Sequence, residues 1–209
     1  QHIRCDSFDV RGGVSELRLG GRLLAAGSGP LLAGLVKNND ALTTLDLQYN
    51  GIGPNGAVTL AQGIKCAENL QHLNVARNYI GPDGCAALAR AIHSNNSLEI
   101  LNLSSNIICG VNDEGQGRHS TVGVKLLASA VACSKLRTLM LDDNRLEVAG
   151  AKLLAPALRE CKALRNMSFT NNNLTFFGQD PYGVEALVVH ATAGCTYTTT
   201  DDLRMCTDD

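Results

Sequence analysis

Apolar and polar residues along this chain recur in a fixed order. From Leu42 to Ile64 the sequence reads "LTTLDLQYNGIGPNGAVTLAQGI". Leu42, Leu45 and Leu47 have polar residues between them, which is the spacing of a half-buried strand. A corner rich in Asn and Gly follows. Ala57, Leu60, Ala61 and Ile64 then fall at i, i+3, i+4 and i+7, one apolar stripe of a helix. The same order returns as "LQHLNVARNYIG" from Leu70, "LEILNLSSNIIC" from Leu98, "LRTLMLDDNRLE" from Leu136 and "LRNMSFTNNNLT" from Leu164, with a weaker copy, "VSELRLGGRLLA", from Val14. The starts at 14, 42, 70, 98, 136 and 164 are 28 residues apart, except for one step of 38. Neither a strand nor a helix of this length can bury its apolar face alone, so neighbouring units must stack.

Stacking predicts an α/β solenoid of about six units with the parallel sheet on one face and the helices on the other. Strands sit about 4.8 Å apart, whereas packed helices need about 8–10 Å, so each unit turns by roughly 20–25° and the sheet lines the concave side. Residues 1–13 read as an N-terminal cap or partial repeat, 14–191 as the six repeats, and 192–209 as a C-terminal capping segment or tail. The pattern L-x-x-L-x-L-x-x-N-x-[IL]-G-x-x-G-A-x-x-L-A resembles the ribonuclease-inhibitor type of leucine-rich repeat, across residues 14 to about 191. Ribonuclease inhibitor, the Ran GTPase-activating protein and the repeat domains of NOD-like receptors carry such repeats. The resemblance implies a right-handed βα horseshoe arc and a role in binding other proteins. A single Asn-bearing repeat type is nearer the last two relatives than ribonuclease inhibitor, which alternates two Cys-bearing types.

Asn50, Asn78, Asn106, Asn144 and Asn172 end every strand but the first, where Arg22 stands. They read as structural. Each amide is expected to bond backbone groups in the turn leaving its strand, so that Asn50→Leu would cost about 1–3 kcal/mol. The concave face offers the candidate partner-binding residues: Arg18, Asp46, Gln48, Tyr49, His72, Asn74, Arg77, Asn102, Ser105, Met140, Asp142 and Asp143. Tyr49 and Arg77 are of the residue types that carry most interface energy, and they stand at the same register of adjacent repeats.

The long step has a local cause. "NIIC" matches "NRLE" and "GVKLLASAV" matches "GAKLLAPAL", so the extra residues fall in "GVNDEGQGRHST", 110–121. This glycine-rich polar segment reads as a mobile surface loop whose Asp113, Glu114, Arg118 and His119 form a second candidate partner site. A smaller insertion, "FFGQDPYG", spans 176–183, and Pro156 within "LLAPALRE" is expected to kink or shorten its helix.

Other chemistry finds little support. Gly51-Ile52-Gly53-Pro54-Asn55-Gly56 spells G-x-G-x-x-G between a strand and a helix. The next copy loses the first glycine, and the following strand ends "LNVARN" without the acid a dinucleotide site needs, so these glycines read as a corner. No cofactor is expected. The five histidines are scattered, and no G-x-S-x-G, Walker A or H-E-x-x-H pattern occurs, so no catalytic residue is assigned. None of the eight cysteines forms C-x-x-C or lies near a His at zinc-ligand spacing; they suit free thiols, no metal, and a reducing, cytoplasmic compartment. A net charge of −2 gives no reason to expect nucleic acid, and no apolar run of about 18 residues predicts a membrane span. The N-terminus lacks both a signal-peptide layout and an initiator Met, as expected of a processed chain or a fragment. The expected function is a non-enzymatic protein-interaction module or scaffold. A GTPase activator resembling the Ran activator, the ligand-sensing repeats of a NOD-like receptor, and a structural subunit of a large ciliary or organellar assembly stay open beside it.

Overall fold

The computed structural model describes residues 2–5, 8–11, 13–24, 26–112, 114–175, 182–190 and 196–198. An antiparallel pair, β1 (His2–Cys5) and β2 (Phe8–Arg11), precedes the repeats. The chain then alternates between short strands and helices: β3 (Glu16–Arg18) and α1 (Gly29–Lys37), β4 (Thr44–Asp46) and α2 (Gly53–Ile64), β5 (His72–Asn74) and α3 (Gly81–Ser94), β6 (Ile100–Asn102) and α4 (Val122–Ala132), β7 (Thr138–Met140) and α5 (Glu147–Glu160), β8 (Asn166–Ser168) and α6 (Tyr182–His190), ending in β9 (Thr196–Thr198). β3 to β9 form one parallel sheet in sequence order, and successive helices pack on one another, which is the architecture of a leucine-rich-repeat solenoid.

Register follows the repeated leucines. Leu17, Leu45, Leu73, Leu101, Leu139 and Met167 stand side by side, and each is buried. The 38-residue unit does not disturb this, because Leu101 pairs with Leu139 as directly as Leu73 with Leu101. β9 adds Tyr197 beside Met167, so part of the segment after residue 191 continues the sheet. The rest of 192–209, and most of the smaller insertion at 176–183, lie outside the described residues.

The buried helix faces are the predicted stripes: Ala57, Leu60, Ala61 and Ile64 in α2, and Cys85, Leu88, Ala89 and Ile92 in α3. Small residues let the helices approach closely. A Cβ added to Gly84 would lie 2.9 Å from the Cβ of Ala57, and one added to Gly63 would lie 2.6 Å from the carbonyl oxygen of Ala33. Pro156 does not shorten its helix. α5 runs four residues beyond it and matches the 14 residues of α3. Pro156 is on the exposed side of α5, where water can satisfy the carbonyl that loses its N–H partner.

Hydrogen bonds of the buried asparagines join the repeats. The Nδ2 of Asn78 donates to the carbonyls of Val75 and Ala76 in its own turn, at 2.9 and 3.1 Å, and to Leu47 of the preceding repeat at 2.8 Å. Its Oδ1 accepts the N–H groups of Asn50 and Ile52, also in the preceding repeat. Its backbone carbonyl accepts the first N–H of α2, from Gly53, which has no side-chain cap. Asn50, Asn106, Asn144 and Asn172 likewise reach back to the unit before them. Arg22 breaks the column at an intelligible place. β3 is the edge strand of the sheet among the described residues.

Candidate functional site

On the open face of the sheet, local bonds occupy many of the candidate polar groups. Arg18 pairs with Glu16 at 3.0 Å. Asp46, Asn74 and Asn102 each accept, through Oδ1, the backbone N–H two residues on, from Gln48, Ala76 and Ser104, at 3.0–3.1 Å. His72 Nδ1 lies 3.5 Å from the Thr44 hydroxyl, and Met140 stands in register between Asn102 and Ser168. Asp142 accepts bonds from the Ser168 hydroxyl at 2.5 Å and the Thr170 N–H at 2.7 Å. Asp143 accepts the Ser105 hydroxyl at 3.1 Å and the Asn171 amide at 2.8 Å. The two acids therefore tie three successive repeats together.

Where the strands exit, the backbone presents a second row of side chains. Tyr49, Arg77, Ser105 and Asp143, each just before a ladder asparagine, have φ of 55–58°. Tyr79 and Ile107, just after one, have φ of 54° and 56°. Left-handed backbone at these positions recurs through the repeats, so the turn imposes it and the side chains there are free to differ. Tyr49 and Tyr79 are 60% and 66% exposed, far more than buried packing would leave large aromatic residues. Both rows open on one hollow of about 540 Å³, lined by Tyr49, Arg77, Tyr79, Ser105, Ile107, Asp143 and, from the inserted segment, Asn112 and Glu114.

The inserted segment becomes a wall of this hollow because it folds back on itself in a short turn. Val111 bridges Gly117, and Asn112 exchanges backbone bonds with Gln116 and Gly115 while its Oδ1 accepts the Gln116 N–H at 2.8 Å. Gly110 and Gly117 make the crossing possible, with φ of +79° and +120°; a Cβ on Gly110 would meet the Arg118 carbonyl at 2.5 Å. At the segment's far end, His119 Nε2 sits 3.6 Å from Glu147 at the start of α5.

The two candidate sites read from the sequence thus meet in part. Tyr49, Arg77, Ser105 and Asp143 come together with Glu114. Arg118 and His119 do not line the hollow, and Asp113 lies outside the described residues. Arg18, His72, Asn74, Asn102 and Met140 stay on the sheet face. Tyr79, Ile107 and Asn112 are lining residues that the sequence reading missed. The column after the ladder asparagines reads Gly51, Tyr79, Ile107, Arg145, and that variation was the available signal.

Among the described residues no cluster of His, Cys, Asp and Glu could hold a metal ion, and no helix is long and apolar enough to cross a membrane. Five free cysteines are described: Cys66 and Cys133 are exposed, and Cys85, Cys109 and Cys161 are buried. Burial pushes the Cys85 and Cys109 thiols from 9.0 up to about 12, with Cys109 adding to the shift at Cys85 and Glu147 to that at Cys109. The raised values favour the neutral, folded form. Their contribution to stability is complete below pH 9 and is lost as pH rises towards 12. A thiol reagent at pH 8 should label Cys66 and Cys133 within minutes and reach Cys85 and Cys109 only at the rate of global unfolding, as peptide mass mapping would show. Prompt labelling of Cys85 in the native protein would contradict the packing described.

The sequence pattern of the Leucine Rich repeat family matches residues 38–61, 67–89 and 132–155. Each matched stretch covers a whole strand, its asparagine turn and the first part of the following helix. Among solved structures, the chain is similar to the leucine-rich repeat-containing protein LegL7 from Legionella pneumophila, with 18% identity over 89% of this chain and a TM-score of 0.44. The chain spans 65% of the length of that protein. A search of curated proteins finds no match.

Proposed function

We propose that the protein is a non-enzymatic interaction module of the ribonuclease-inhibitor type of leucine-rich repeat, binding another protein through the open face of its sheet and the hollow beside it. The supporting observation is the hollow itself. Exposed tyrosines, an unpaired arginine and carboxylates come from four successive repeats and from an insertion that leaves the sheet register intact. Aromatic and arginine side chains on a rigid frame supply interface area at little ordering cost. Among the described residues the Arg77 side chain has no hydrogen-bond or ion-pair partner. Exposed free thiols at Cys66 and Cys133 suit a reducing compartment such as the cytoplasm.

A photo-crosslinking residue at Asn74, in the middle of the sheet face, tests the proposal against one at Lys125, exposed on α4. In extract of the native source, Asn74 should give a discrete adduct with one polypeptide and Lys125 should not. Equal labelling from both positions, or none from Asn74, would overturn the reading.

A further inference from the structure

Resting on that reading, the chemistry of the hollow narrows the partner. We propose that it receives a lysine or arginine side chain from the partner polypeptide, with the alkyl stem against Tyr49, Tyr79 and Ile107 and the cationic head between Glu114 and Asp143. Charge balance is the first argument. Two carboxylates and one guanidinium line the space. The bonds from Ser105 and Asn171 fix the Asp143 carboxylate in place without neutralising it, because both donors are uncharged. The second argument is the apolar wall. Tyrosine faces attract a cation within about 6 Å and also pack against its methylene stem, whereas an acidic side chain would meet the same rings with no such gain.

Asp46 and Asp142 add carboxylates, and Glu16 already pairs with Arg18. Among the described residues, Arg77 is the one lining residue of opposite sign. Its position in the hollow, one repeat from Ser105 and two from Asp143, makes it the discriminating test. For a basic guest it is a like charge, and for an acidic guest it would be the anchor.

The experiment uses the full chain and three short blocked peptides, Ac-Gly-X-Gly-NH2, with X as arginine, citrulline or glutamate. Citrulline keeps the shape of arginine and removes its charge. Amide shifts of Tyr49, Tyr79 and Gly115 are followed in 1H–15N spectra. The arginine peptide should shift them saturably and bind at least fivefold more tightly than the citrulline peptide, and the glutamate peptide should bind most weakly. Glu114→Gln, on the exposed turn, and Asp143→Asn, which keeps the acceptor for Ser105, should each weaken the arginine peptide severalfold. Arg77→Ala should tighten it about twofold, and raising salt from 50 to 500 mM should weaken it. No saturable shift, equal affinity for arginine and citrulline, or weaker arginine binding in Arg77→Ala would overturn the proposal. None of those outcomes alters crosslinking from Asn74, so failure here is distinguishable from failure of the sheet-face reading.

Discussion

Asn78→Leu is expected to lower the free energy of unfolding by about 3 kcal/mol in urea titration. Five side-chain bonds are lost, but they do not count equally. The carbonyls of Leu47, Val75 and Ala76 each keep another donor, from the Asn50 amide, the Asn106 amide and the Tyr49 N–H. The N–H groups of Asn50 and Ile52 keep none, since Asn78 Oδ1 is their described acceptor. Two buried donors left unsatisfied cost about 1–3 kcal/mol each, and the branched apolar side chain must also fit a polar turn. Asn102→Leu is the matched control. Asn102 is half-buried and its side chain caps a single N–H in its own repeat, so its loss should stay below about 1 kcal/mol. Equal losses in the two variants would remove the ladder as the link between repeats.

The second large effect is expected at Gly63, in the last turn of α2. Helix propensity alone favours leucine over glycine there by about 1 kcal/mol. The packing argues the other way. A Cβ would lie 2.6 Å from the Ala33 carbonyl oxygen and 2.8 Å from its Cα, and backbone of α1 cannot move aside as a side-chain end can. Gly63→Leu must push the two helices apart, and overpacking of that kind costs about 1–3 kcal/mol or more. A net loss of about 2 kcal/mol or more is expected in thermal or urea unfolding. Gln62→Leu, one residue away on the exposed side of α2, should be neutral or slightly stabilising. A stabilised Gly63→Leu would show that α1 and α2 do not approach as described.

These two positions mark how far the sequence could be read. The 28-residue recurrence of leucines was enough for strand, helix and register, because only one registration buries Leu45, Leu73 and Leu101 together. It also indicated that the asparagines bond backbone in turns. It could not say that Asn78 reaches back to Leu47, Asn50 and Ile52, since contacts between units depend on how the turns stack. Tyr79 and Ile107 were hidden for a related reason. Their column begins with Gly51, and the glycine drew the reading towards a corner rather than a surface. Glu114 and Asp143 belong to one site only because Gly110 and Gly117 let the inserted segment cross itself, and φ values of that kind leave no trace in composition. The shortening expected at Pro156 does not occur, because the rule against proline inside a helix is weakest where the freed carbonyl faces water.

If the open face and its hollow form the binding surface, the affinity of the polypeptide crosslinked from Asn74 depends on residues of that face. Calorimetric titration of that polypeptide with Asn74→Arg and Tyr79→Ala should show at least tenfold weaker binding than the parent chain, with unfolding free energies within about 1 kcal/mol of the parent. Lys125→Glu, on the helical side, should bind as the parent does. Parental affinity in both face variants, or a loss confined to Lys125→Glu, would contradict the account.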